Sequence, residues 1–166
     1  MVEKLSQRPS KLDLRSNYIK EGAMAVAKAL EINTILTALD MSSNNIREGG
    51  AKAIAEVLKT KSTLMSLDLS SNGIGKVGGI AFVEALETNK PLTLLNLRLN
   101  NNREEGAMAV AKALETITIL TSLHLSWNFI SDESRKDPRN QQNSYLIGTE
   151  FKYHREGGRQ GPRKFP

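Results

Sequence analysis

A chain of 166 residues, 39% apolar and 25% charged, has room for one domain with a sizeable buried core. It has no cysteine, which excludes disulfides, thiolate metal ligation and a cysteine nucleophile, and it has no apolar run long enough to cross a bilayer. The net charge of +5 belongs to the ends: residues 12–132 hold 12 Lys and Arg against 13 Asp and Glu, while residues 133–166 hold 8 against 4.

Residues 1–11 form a lead-in, and MVEKLSQRPS places charges and a proline where a secretory leader needs an apolar run. The expected compartment is therefore the cytoplasm, with the nucleus as the alternative. From residue 12 two short patterns alternate. The first reads LDLRSN (12–17), LDMSSN (39–44), LDLSSN (67–72), LNLRLN (95–100) and LHLSWN (123–128). Its asparagines, Asn17, Asn44, Asn72, Asn100 and Asn128, lie 27, 28, 28 and 28 residues apart. The second reads GAMAVAKAL (22–30), GAKAIAEVL (50–58), GGIAFVEAL (78–86) and GAMAVAKAL (106–114). Both recur in phase, the signature of a repeat architecture.

Each pattern has its own period. In LxLxxN the apolar residues alternate, as in a strand buried on one side, so Leu39, Met41, Leu67 and Leu69 are expected to point inward. In the Ala-rich segments they fall at i, i+3, i+4 and i+7, one face of a helix: Ala51, Ile54, Ala55 and Leu58 in one unit, Ala107, Val110, Ala111 and Leu114 in another. Leu36, Leu64, Leu92 and Leu120 lead each helix back to the next strand. A single unit cannot bury its apolar side, but stacked units can, with a parallel sheet as one layer and helices as the other. Each buried leucine contributes roughly 1.5–3 kcal/mol before the entropy of ordering is charged. Helices are wider than strands, so the stack should curve with its strands on the concave face. The predicted fold is an α/β solenoid of about 4.5 units.

An asparagine tied this closely to the repeat is read as structural, because its side chain can satisfy backbone groups in the turn after each strand. Gly22, Gly50, Gly78 and Gly106 are read as junctions between loop and helix. No GxxxxGK[ST] or GxGxxG spacing accompanies them, so they are not a phosphate loop and no cofactor is expected.

LTALDMSSNNIREGGAKAIAEVLKTKSTLMSLDLSSNGIG (36–75) closely resembles the ribonuclease-inhibitor-like subfamily of leucine-rich repeats, the type also found in NOD-like receptors and in the GTPase-activating protein of Ran. The resemblance covers residues 11–131 and implies a horseshoe-shaped solenoid with an intracellular binding role. It specifies the fold much more closely than the partner. There are departures. The first unit is one residue short between Asn17 and Gly22 and lacks its leading leucine. Arg103 replaces the loop aliphatic seen as Ile46, Ile74 and Ile130, and no Ala-rich helix follows Asp132. Glu21–Leu39 and Glu105–Leu123 agree at 16 of 19 positions, which points to an internal duplication that extends a scaffold.

Outward strand positions are free of the repeat's demands. One column reads Asp13, Asp40, Asp68, Asn96, His124; the next Arg15, Ser42, Ser70, Arg98, Ser126; the third Ser16, Ser43, Ser71, Leu99, Trp127. Asp40 and Asp68 could be read as an acid–base pair, but aspartate is common in this column of the resembled family, which favours a solvated or structural role. His124 has no Ser or Cys partner in a recognisable motif, so catalysis is not expected. Arg98, Leu99 and Trp127 have the composition of an interaction hot spot. Trp127 fits a second reading equally, as a cover for the solenoid's open end. The expected partner-binding residues are thus Asp40, Asp68, Asn96, Arg98, Leu99, His124 and Trp127.

Residues 133–166 break the pattern. A short apolar stretch at 145–153 could supply a capping strand, and the Gly- and Pro-rich end has the composition of a disordered segment. The expectation that follows is a monomeric, non-enzymatic module that binds a protein partner, with no small-molecule substrate and no membrane. Two alternatives stand beside it: regulation of a small GTPase, which the resemblance implies, and weak nucleic-acid binding through the basic tail.

Overall fold

The computed structural model describes residues 10–101 and 120–125. Strands and helices alternate as the two periods require: β1 (Ser10–Asp13), α1 (Ala23–Ile32), β2 (Leu36–Asp40), α2 (Arg47–Thr60), β3 (Ser66–Asp68), α3 (Gly75–Thr88), β4 (Leu94–Asn96) and β5 (Ser122–His124). A 3-10 turn, Lys20–Gly22, leads into α1. The five strands pair in parallel in sequence order, β1-β2-β3-β4-β5. Parallel neighbours need a crossover, and each described helix supplies one. No described helix is long and apolar enough to cross a membrane.

One face of the sheet meets the helices. Leu39, Leu67, Leu95 and Leu123 are buried, with Met41, Leu69, Leu97 and Leu125 one alternation further on. From the helix side come Ala51, Ile54, Ala55 and Leu58, and Phe82 stands where α2 has Ile54. Leu36, the first residue of β2, and Leu64, Leu92 and Leu120, which precede β3, β4 and β5, are also buried in the same core. The opposite sheet face, with Ala38, Asp40, Ser66, Asp68, Leu94 and Asn96, remains partly open.

Two sequence readings change. First, α2 and α3 begin three residues before Gly50 and Gly78, so these glycines lie inside the first helical turn. Their role is close approach. A Cβ on Gly50 would lie 2.7 Å from the Cβ of Ala23, and one on Gly78 would lie 2.8 Å from the Cβ of Ala51. Each glycine therefore lets its helix sit against the alanine of the helix before it. Second, β1 starts at Ser10, within the expected lead-in. The expectations for Arg103, the 106–114 helix, Ser126, Trp127, Asn128, Ile130 and the 133–166 tail fall outside the described residues.

The asparagine ladder is present and buried at Asn44, Asn72 and Asn100. The Asn72 Oδ1 accepts from the backbone N–H of Asn44 (2.9 Å) and of Ile46 (3.3 Å), and its Nδ2 donates to the carbonyls of Met41, Leu69 and Ser70. Asn44 repeats this one unit earlier toward Asn17, Ile19, Leu14, Met41 and Ser42. Asn100 accepts from Asn72 and Ile74. Asn17, at the first rung, is exposed, and its Nδ2 donates to the Arg15 carbonyl. Each buried side chain thus satisfies turn groups of its own unit and of the preceding one, the structural role expected of it.

A second ladder closes the other end of the helices. The Asn33 Oδ1 accepts from the N–H groups of Ile35 and Leu36. Asn89 accepts from Leu92 and donates to the carbonyls of Leu58 and Lys61. At the equivalent position between them, Lys61 sends its ammonium to the Leu30 carbonyl at 2.7 Å, at the C-terminal end of α1. Burial lowers its pKa, while a cation suits the negative end of the helix.

Candidate protein-interaction face

On the open sheet face the first of the expected columns lies in register across the five strands. Asp13, Asp40, Asp68, Asn96 and His124 are paired across neighbouring strands in one register. Their side chains first serve the turn. The Oδ1 atoms of Asp13, Asp40, Asp68 and Asn96 accept from the backbone N–H two residues on, at Arg15, Ser42, Ser70 and Arg98, over 2.9–3.2 Å. The Ser42 and Ser70 hydroxyls donate to the same oxygens at 2.7 Å. An Asx turn at the end of a strand explains why Asp or Asn recurs here. Asp40 and Asp68 therefore each spend their Oδ1 on the turn.

The column then splits. At its N-terminal end the Arg15 guanidinium is held by Asp13 at 2.6 Å and lies 3.4 Å from Asp40. Its hydrogen bond holds the Asp13 carboxyl below the usual carboxylate range, and the same contact raises the Arg15 pKa. Further along, the Asn96 Nδ2 donates to the Asp68 Oδ2 at 2.7 Å. Arg98 occupies the Arg15 position of the fourth unit, but its own strand offers Asn96 in place of an aspartate. Its Nε is buried without a hydrogen-bond partner. The His124 ring meets the Ser122 hydroxyl at 3.0 Å, with donor and acceptor set by the tautomer.

Next to Arg98, Leu99 is half exposed and has a φ of +56°. Ser16, Ser43 and Ser71 take this left-handed conformation in the earlier units. It costs a branched apolar residue roughly 1–2 kcal/mol. Leu94 joins the patch from the strand, in register with Ser66 and Ser122. This inner column of Ala38, Ser66, Leu94 and Ser122 was missing from the sequence-derived columns, although the alternation through Ser66, Leu67 and Asp68 indicates it. The structure thus brings Asn96, Arg98 and Leu99 together on one strand and turn, with His124 and Asp68 on the strands to either side and Asp40 one strand further.

Among family models, the leucine-rich repeat model matches residues 33–55, 60–83 and 117–136. The actin-binding site 2 domain of leiomodin-1 is similar in structure, with a TM-score of 0.65, 27% identity, and coverage of 84% of this chain and 81% of that one. The tropomodulin C-terminal domain of Caenorhabditis elegans also gives a TM-score of 0.65, over 78% of this chain and 80% of that one; at 14% identity this is a likeness of fold. No curated protein gave a match. With its repeats in phase, its parallel sheet in sequence order and its asparagine ladder, the chain has an α/β solenoid fold like that of leucine-rich-repeat proteins.

Proposed function

We propose that this solenoid is a non-enzymatic module that holds a protein partner against the C-terminal part of its open sheet face, around Leu94, Asn96, Arg98, Leu99 and His124. The observation that carries the reading is Leu99, an exposed leucine in a left-handed conformation where three earlier units have serine. Strain and exposed apolar surface kept together at one position fit a contact residue better than a scaffold residue. The leiomodin-1 domain, described as an actin-binding site, supports a protein partner and makes actin the first one to test.

Cosedimentation with actin filaments and anisotropy titration with monomeric actin test the partner. Photo-crosslinking from position 94 tests the surface. Binding that falls at least about tenfold in an Arg98→Ala, Leu99→Ser double variant, with its fold intact, supports the reading. Equal binding and equal crosslinks in the two proteins would remove this face from consideration.

A further inference from the structure

Arg15 and Arg98 occupy the same column, two residues beyond the register position shared by Asp13 and Asn96. Arg15 is satisfied internally, by Asp13 on its own strand and Asp40 on the next. For Arg98 the strand residue is a neutral asparagine, and that asparagine's amide is spent on Asp68. The ion pairs among the described residues are those of Arg15 with Asp13 and Asp40 and of Lys59 with Glu56. The Arg98 guanidinium takes part in none of them, and its Nε has already lost water without gaining an acceptor. A desolvated guanidinium donor without an acceptor is costly, and a planar carboxylate is the group that matches its fork.

From this contrast we propose that Arg98 is the receptor for a carboxylate of the partner, presented on an acidic residue flanked by apolar side chains that rest on Leu94 and Leu99. The inference depends on the open face being the binding surface, as proposed above, and adds the chemistry recognised there. Charge complementarity selects a carboxylate over a phosphate. Asp68 lies on the adjacent strand, bonded to Asn96, and Asp40 lies one strand beyond. A doubly charged phosphate meets more repulsion from that acidic column than a single carboxylate does. Leu94 and Leu99 favour apolar flanks and reduce the local screening that weakens exposed ion pairs.

The test uses the full chain and two probes, N-acetyl-Leu-Glu-Leu-amide and N-acetyl-Leu-Gln-Leu-amide, with inorganic phosphate as a third arm. The arginine Nε–H signals are followed by 15N NMR. The Glu peptide is expected to shift the Arg98 signal saturably, with the Gln peptide about tenfold weaker or more. The Arg15 signal should hold still, and an Arg98→Gln variant, checked for native dispersion, should not respond to the Glu peptide at its neighbouring amides. Equal response to both peptides, equal response at Arg15, or a phosphate response as strong as the Glu peptide's would each overturn the carboxylate assignment. If Arg98→Ala, Leu99→Ser abolishes partner binding while the peptides are not distinguished, the surface stands and the carboxylate falls. If the peptides are distinguished while the double variant binds its partner normally, the carboxylate receptor stands and the proposed function falls.

Discussion

The first unit and the interior units use nearly the same residues at matching positions, and their surroundings differ. Leu12 is 43% exposed, whereas its equivalents Leu39, Leu67 and Leu95 are 2%, 0% and 0% exposed. Leu14 and Ile19 are partly buried, whereas Met41, Leu69, Leu97, Ile46 and Ile74 are buried. An interior unit is covered by neighbours on both sides, while the described part of the first unit has one on its β2 and α2 side only. In a solenoid, therefore, the same leucine, asparagine or glycine contributes according to how many stacked neighbours it touches.

The sharpest break of this comparison is at the core leucines. Leu67→Ala is expected to cost about 3–4 kcal/mol, with Leu12→Ala at about 1 kcal/mol, read from urea denaturation midpoints. Similar costs would mean that the end unit is covered as well as the interior. The ladder comes next: Asn72→Ala leaves the backbone N–H groups of Asn44 and Ile46 without this acceptor, while the carbonyls of Met41, Leu69 and Ser70 each keep another donor, and should cost about 3 kcal/mol, against about 0.5 kcal/mol for the exposed Asn17→Ala. Thermal unfolding of the two variants side by side checks it.

The glycines should differ in sign. Gly78→Ala forces a Cβ against Ala51 and Ile74 and should destabilise by about 1–3 kcal/mol. A Cβ on Gly22 meets only the Ile19 Cγ2, at 3.4 Å, so Gly22→Ala should raise stability by about 0.5–1 kcal/mol. A loss at both positions, measured by calorimetry, would end the close-approach explanation. The smallest effect concerns pH. Arg15 depresses the Asp13 pKa in the folded state, so this contact favours folding above the usual carboxylate range and loses its contribution as pH falls through the depressed value. In Arg15→Gln the Asp13 carboxyl carbon should titrate at higher pH by NMR; an unchanged midpoint would separate Arg15 from the shift.

Repeat length, strand and helix identity, the inward leucines and the ladder asparagines were legible in the sequence, because each recurs at 27- or 28-residue spacing with a period fixed by backbone geometry. Asn33, Lys61 and Asn89 recur every 28 residues as well, but the change from amide to ammonium at Lys61 hid their common task at the helix ends. The open-face columns could be written from the alternation, including the register that joins Asp13 to His124. Tertiary structure alone decided the rest. Whether an arginine is neutralised depends on which carboxylates its own and neighbouring strands bring within reach, and among the described residues Arg15 gains one from each while Arg98 gains none. Whether a leucine is strained depends on the turn it occupies, and Leu99 falls in the left-handed position. The role of a glycine depends on what stands opposite, because Gly50 and Gly78 face an alanine of the preceding helix and Gly22 does not. Periodicity specifies what each unit shares, and the contacts between units decide how residues at the same position differ.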